Sequence, residues 1–203
     1  RAAVLGPPAL AVGQEPLLGD YLRAIRYVDD GLGKLFARMR ATGLWDRTIV
    51  VVYGDHPGFF SYTPGLAALT GASTTSALDA RKLWQVPIII HAPGDPAPGD
   101  QPIVAGQIDI MPTVAGWLGV KPPVAFGQDL VTAREGLVGF YDRSAFVGDR
   151  YFDGRTRGTW DLRTGRPSAA LAKSELARVH DALDGSELVL RGDLLPHLAL
   201  DGQ

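Results

Sequence analysis

The stretch "RTIVVVYGDHPG", residues 47–58, runs an apolar, β-branched segment directly into an acid and a histidine, and stops at once on Pro-Gly. "TIVVVY" (48–53) has the composition of a strand buried on both faces, as in the middle of an α/β sheet. Neighbouring side chains on a strand point to opposite faces. Asp55 and His56 can therefore serve one site only if the strand has already ended, and Gly54, Pro57 and Gly58 supply that break. In open α/β sheets ligands gather beyond the carboxyl ends of strands, which is where this pair would lie. A carboxylate oxygen and an imidazole nitrogen are ligands suited to Zn²⁺, Mn²⁺ or Mg²⁺, the imidazole favouring the first two. The competing reading is structural, with Asp55 capping a turn and His56 a satisfied surface histidine.

Upstream, Leu18, Tyr21, Leu22, Ile25, Val28, Leu32, Leu35, Phe36 and Met39 recur at helical spacing, predicting a helix over 17–40 that Gly43 ends. Downstream, 55–78 is rich in Pro, Gly, Ser and Thr and reads as one long loop. "VPIIIH" (86–91) predicts a second short strand. "GQIDIMPTVAGWLGV" predicts a short helix over 110–118, with Asp109 at its N-cap and Pro112 in its first turn. Beyond Phe126 the pattern changes: "GLVGFYDRSAFVGDRYFDGRTRGTWDLRTGR" alternates aromatic and β-branched runs with Asp-Gly and Thr-Gly turns, the signature of antiparallel hairpins. Ala172, Leu176, Val179 and Leu183 mark one stripe of a final helix over 168–183. The fold class expected is α/β, a sheet flanked by helices, with an antiparallel β region and a helix behind it.

The 203 residues are 46% hydrophobic and 21% charged with net charge −2, the profile of a globular protein without a basic nucleic-acid surface. The absence of cysteine excludes a thiolate zinc site, a catalytic cysteine and disulfides within these residues. With no asparagine there is no N-glycosylation sequon. GxSxG, GxGxxG and P-loop patterns are missing, so serine α/β-hydrolases, dinucleotide enzymes and P-loop NTPases lose their usual markers.

Three segments in order, "YLRAIRYVDDGLGKLFARMRATGLWDRTIVVVYGDHPG", "VPIIIHAPG" and "GQIDIMPTVAGWLGV", resemble the C-terminal half of the sulfatase-like branch of the alkaline phosphatase superfamily, and within it the lipoteichoic acid synthases and related phosphoglycerol transferases. The resemblance covers about Asp20 to Leu130 and continues loosely through "FGQDL" and "HDALDGSELVLRGDLL". It implies that residues 1–203 are the C-terminal portion of one sulfatase-like catalytic domain, with an α/β part over 1–130 and hairpins plus a helix over 131–203. It also implies that Asp55 and His56 bind the catalytic metal, Mn²⁺ above all, with Mg²⁺, Ca²⁺ or Zn²⁺ as other occupants. Pro57-Gly58 departs from the Gly or Tyr-Gly common after this motif. The family's nucleophile, a threonine in the synthases and a modified cysteine in sulfatases, is expected upstream, so no catalytic residue is assigned within these 203; Thr63 in "SYTPG" has the wrong context.

The resemblance further implies transfer of phosphoglycerol from a glycerophospholipid head group to a glycerolphosphate or glycan acceptor. The partners expected are that lipid or another phosphate or sulfate ester, and the upstream half of the same domain. The membrane enters only through missing N-terminal segments, and the location expected is the extracytoplasmic face of the membrane or the periplasm. Arg1, which is not an initiator methionine, is read as marking a trimmed or processed piece. Hydrolysis of sulfate esters by a sulfatase, and a degenerate non-catalytic module, are the alternative readings. His91 at the end of its strand is a further candidate for the same crevice, with a solvated strand end as the alternative. Asp109 beside Gln107 is a catalytic candidate with an N-cap role as the alternative, and Asp29–Asp30 resemble a metal pair, but the roughly 100° divergence of adjacent helical residues argues against a shared ion. Phe59, Phe60 and Tyr62 are candidates to line a groove, and Arg155 and Arg157 to contact phosphate.

Overall fold

A computed structural model describes residues 16–58, 64–70, 76–95 and 99–198. They form two compact units, divided after Gly94.

The first unit opens with helix α1, Pro16–Ala41. Proline at the first helical position sacrifices no hydrogen bond, and Gly43 (φ +72°) ends the last turn as the sequence predicts. A 3-10 turn, Trp45–Arg47, leads into strand β1, Val50–Tyr53. Helix α2 (Pro64–Thr70), helix α3 (Ala77–Lys82) and strand β2 (Ile88–His91) follow. The expected loop over 55–78 is thus corrected: it holds α2 and the first two residues of α3. Composition misled there, because Pro64 suits a helix start and the Ser76 hydroxyl caps α3 by accepting the Asp79 N–H at 3.1 Å. Phe59, Phe60, Tyr62 and Thr63 lie outside the described residues.

β1 and β2 share one sheet, as the sequence suggests, and pair antiparallel from Val50↔His91 to Tyr53↔Ile88. Burial on both faces does not hold. Val50–Val52 are half-buried, while Tyr53 and Ile89 are 50% and 60% exposed. The reason is topological: among the described residues the sheet has two strands, so each pairs along one edge only. Along α1, Leu18 is buried but Tyr21, Ile25, Val28 and Leu35 stay exposed. An open groove of about 510 Å³ separates the helix from the ribbon, lined by Leu32 and Phe36 on one side and Val52 and Ile89 on the other.

In the second unit a 3-10 turn, Gln107–Asp109, opens helix α4, Ile110–Trp117. Strands β3 (Leu137–Gly139), β4 (Ala145–Val147), β5 (Arg150–Phe152) and β6 (Thr159–Asp161) then form an antiparallel meander in sequence order. Gly148-Asp149 joins β4 to β5 in two residues, with Gly148 at the φ of +57° that such a turn requires. Helix α5, Lys173–Arg191, packs on this sheet, and a short helix α6, Leu195–Leu198, follows. α5 begins five residues later and ends eight later than the predicted 168–183. Three of the four stripe positions are as the spacing indicates: Val179 is buried in the core with Ala145, Val147, Phe152 and Leu171, and Leu176 and Leu183 pack around it. Ala172 is instead exposed, in extended conformation just before the helix. Full burial of a side chain like Val179 stabilises by about 2 kcal/mol. The architecture is therefore α/β, with mixed helices, antiparallel sheets and the expected antiparallel region and helix at the C-terminal side.

Candidate metal centre

Tyr53 is the last paired residue of β1, and Gly54 extends the contact by donating its N–H to Pro87 O at 3.0 Å. The chain then bends at Asp55 and His56, as the Gly-to-Pro punctuation predicts. Both side chains are solvent-accessible, Asp55 at 81% and His56 at 51%. Asp55 Oδ1 and His56 Nε2 lie 3.5 Å apart, so the bend brings the two onto one side. The other ring nitrogen, Nδ1, is 2.9 Å from the carbonyl oxygen of Pro57. A carbonyl only accepts, so Nδ1 carries the proton and, in the neutral ring, Nε2 keeps its lone pair. Two electron-rich atoms that close form a donor pair for a cation.

The donor set fits a small divalent cation. Ligand bonds of about 2.1 Å at a tetrahedral angle place two ligand atoms about 3.4 Å apart, and right-angled bonds of about 2.0–2.1 Å place them about 2.9 Å apart. The observed 3.5 Å is close to the tetrahedral spacing and wider than the right-angled one, so an octahedral ion such as Mn²⁺ requires the two exposed side chains to close by about 0.6 Å. The Nδ1–H to carbonyl hydrogen bond is also the usual device for orienting a metal-binding imidazole. Among the described residues no third His, Cys, Asp or Glu joins the pair.

His91 does not share the crevice. Because β1 and β2 run antiparallel, His91 pairs with Val50, at the opposite end of the ladder from Tyr53. Three residues of strand put it about 10 Å away. Nor is it a solvated end: its ring stacks on Trp45 at 3.8 Å and its Nε2 donates to Trp45 O at 3.0 Å. Arg40 covers Trp45 at 4.1 Å, and Phe36 meets it edge-on at 5.3 Å. Sequence reasoning missed this aromatic box, whose only local signal is a tryptophan just after the helix.

Asp109 is fully buried and structural; it stands at the N-cap position of α4 as the sequence predicts, but its side chain caps no amide of that helix. Its carboxylate reaches backwards and sideways, accepting the Gly106 N–H at 2.8 Å and the Gln128 N–H at 2.7 Å. Thr113 extends the network, donating to Asp109 O at 2.6 Å and accepting the Leu130 N–H at 3.0 Å. "FGQDL" is thereby tied to the start of α4. Burial raises the Asp109 carboxyl above the ordinary range, and the two amide donors offset this only in part. Asp29 and Asp30 are exposed on α1 and line the groove with Lys34. In the β5–β6 connection the Arg155 N–H donates to Asp153 Oδ1 at 2.9 Å, and the Arg157 guanidinium covers the Phe152 ring at 5.1 Å.

The sulfatase family model matches residues 7–120, more than half of the chain. The chain belongs to the sulfatase family, as a lipoteichoic acid synthase-like member. It is 31% identical over 189 residues to lipoteichoic acid synthase-like YvgJ of Bacillus subtilis (strain 168), an alignment covering 88% of this chain and 30% of that protein. Lipoteichoic acid synthase 2 of the same organism is 28% identical over 89% of this chain and 28% of its own length. The lipoteichoic acid synthase of Staphylococcus aureus (strain USA300) is 27% identical over 86% and 27% respectively. The chain thus spans less than a third of the length of these relatives. No helix among the described residues is long and apolar enough to cross a membrane.

Proposed function

We propose that this chain forms the metal-holding part of a phosphoglycerol transferase, with Asp55 and His56 as two ligands of one divalent cation, Mn²⁺ foremost. The observation that carries the reading is the 3.5 Å approach of Asp55 Oδ1 to His56 Nε2 at the end of β1, with Nδ1 held by Pro57 O. Asp55 supplies negative charge and an oxygen donor, and His56 a neutral nitrogen donor aimed by its own backbone. A bound cation at such a pair would lower the pKa of a hydroxyl nucleophile and offset charge on the transferring phosphoryl group. In this reading that hydroxyl and the remaining ligands come from outside these 203 residues. The similarity to lipoteichoic acid synthases favours a glycerophospholipid head group as donor and a glycerolphosphate or glycan hydroxyl as acceptor, outside the cytoplasmic membrane. In this reading the phosphoglycerol passes first to the enzyme's hydroxyl, with release of the lipid's diacylglycerol, and then to the acceptor.

The test uses the longer protein of which this chain would be part. Asp55→Ala and His56→Ala are expected to reduce Mn²⁺-dependent phosphoglycerol release from a fluorescent glycerophospholipid by about 100-fold or more while leaving thermal unfolding in place. Near-normal release by His56→Ala ends the assignment, and parallel loss of folding makes His56 a structural residue. Sulfate ester hydrolysis without lipid cleavage would keep the site and change the substrate. With the nucleophile expected from outside these 203 residues, and two ligand-type side chains brought together among the described ones, the chain by itself is expected to show no turnover.

A further inference from the structure

The position of the Asp55–His56 bend depends on a contact that neither residue makes. Gly54 lies so close to the segment before β2 that an added Cβ would sit 2.7 Å from Val86 Cβ and 3.0 Å from its Cγ1, with Pro87 Cδ at an ordinary 3.5 Å. The Gly54 N–H to Pro87 O bond of 3.0 Å holds the two backbones at that separation. Gly54 has no left-handed φ, so the demand for glycine here is one of space alone. Adding a methyl group therefore leaves two responses: the ladder opens at Gly54–Pro87, or the backbone at 54 rolls away from Val86. Either one moves the first residue of the bend, which is Asp55.

We infer that Gly54 is a positioning residue: its contact with Val86 sets where Asp55 and His56 stand as they leave β1. This rests on the metal reading above for its consequence, though not for its geometry. Ligand atoms 3.5 Å apart on adjacent residues tolerate little rotation before one leaves the reach of a common ion. The Val86 wall thus acts on the pair from a strand that contributes no ligand.

The prediction turns on one atom. Gly54→Ala in the 203-residue chain is expected to shift the Asp55 and His56 backbone amide and His56 ring resonances. It is also expected to raise the Mn²⁺ concentration needed to broaden the His56 ring signals by about 10-fold, the usual scale for groups that support a ligand from behind. Val86→Gly removes the opposing Cβ, so Gly54→Ala/Val86→Gly should restore both readouts. Val86→Ala retains the Cβ at 2.7 Å, so Gly54→Ala/Val86→Ala should not. Should Gly54→Ala alone fail to fold, Val86→Gly alone, which removes the wall, is expected to move the same resonances. Unmoved resonances in Gly54→Ala, equal rescue by Val86→Ala, or no rescue by Val86→Gly would each overturn the inference. If the unaltered chain shows no Mn²⁺ broadening at His56, the metal reading loses support, and the metal-free resonances still decide the role of Gly54.

Discussion

Replacing Asp109 with asparagine changes one buried oxygen into an amide nitrogen and nothing in volume. The carboxylate accepts two backbone N–H groups, from Gly106 and Gln128, from a fully buried position. Asparagine has one acceptor oxygen, so one of those N–H groups would face another donor. Losing a hydrogen bond to a charged group costs about 1.5–3 kcal/mol, and stranding a buried N–H is of similar size. Against this stands relief of the charge burial that raises the Asp109 carboxyl. The net destabilisation expected is about 2 kcal/mol, a fall in Tm of about 4–8 °C for a chain of this length. Its pH dependence has a definite sign. A carboxyl raised in the folded state contributes stability that is fully present below its unfolded value and is lost as pH rises through its folded value. Asparagine does not titrate, so the penalty should be largest in acid and shrink as pH rises through the Asp109 transition. Denaturant melts of both proteins across that range measure it, other carboxylates cancelling in the difference. A penalty under about 0.5 kcal/mol, within the ordinary surface range, or one that grows with pH, would refute the account.

Glu175 gives the opposite slope. It accepts the Ala172 N–H at 2.7 Å and pairs with Arg150, interactions that hold its carboxyl below the ordinary range despite some burial. Its contribution is present above the unfolded value and lost as pH falls through the folded one, so Glu175→Gln should flatten that part of the acid limb in a stability titration. Trp45→Ala removes a half-buried ring contacted by Phe36, Arg40 and His91 and should destabilise the first unit by about 2–3 kcal/mol. The Asp55 and His56 amide resonances should stay in place, because the box lies at the far end of the ladder; a shift there would contradict the placement of His91.

The parts legible in the sequence were those set by local pattern. The 3.6-residue spacing along α1, the β-branched runs of β1 and β2, the Asp-Gly and Thr-Gly turns of the meander and the break at Gly54–Pro57 all act within a few residues. Strand direction does not. "VPIIIH" reads alike whether it runs with β1 or against it, and only the antiparallel pairing sends His91 to the Trp45 end. Asp109 was legible only in its position at the start of α4: one partner of its side chain, Gln128, is nineteen residues away and leaves no local signal. The burial foreseen for β1 needs strands along both edges, and among the described residues it has one. In the 55–78 segment the Ser76–Asp79 cap was visible, and composition outweighed it. Within the candidate centre, the sequence indicated which two side chains and why the strand must end before them. It held no sign that Val86, thirty residues later, presses on the glycine in front.

The half-clad ribbon also bears on how such a chain behaves in a test tube. Val50–Tyr53 and Ile88–His91 are short, β-branched and free of acidic and lysine or arginine side chains, and each has an edge that no described strand occupies. Unpaired edges of this composition recruit further strands, including those of identical molecules. Overproduced by itself, the chain is therefore prone to stack edge to edge and to precipitate as concentration rises. Ile89, 60% exposed and in the middle of the second strand, is the natural place for a lysine gatekeeper: it would discourage stacking while leaving the β1 exit, on the neighbouring strand, untouched.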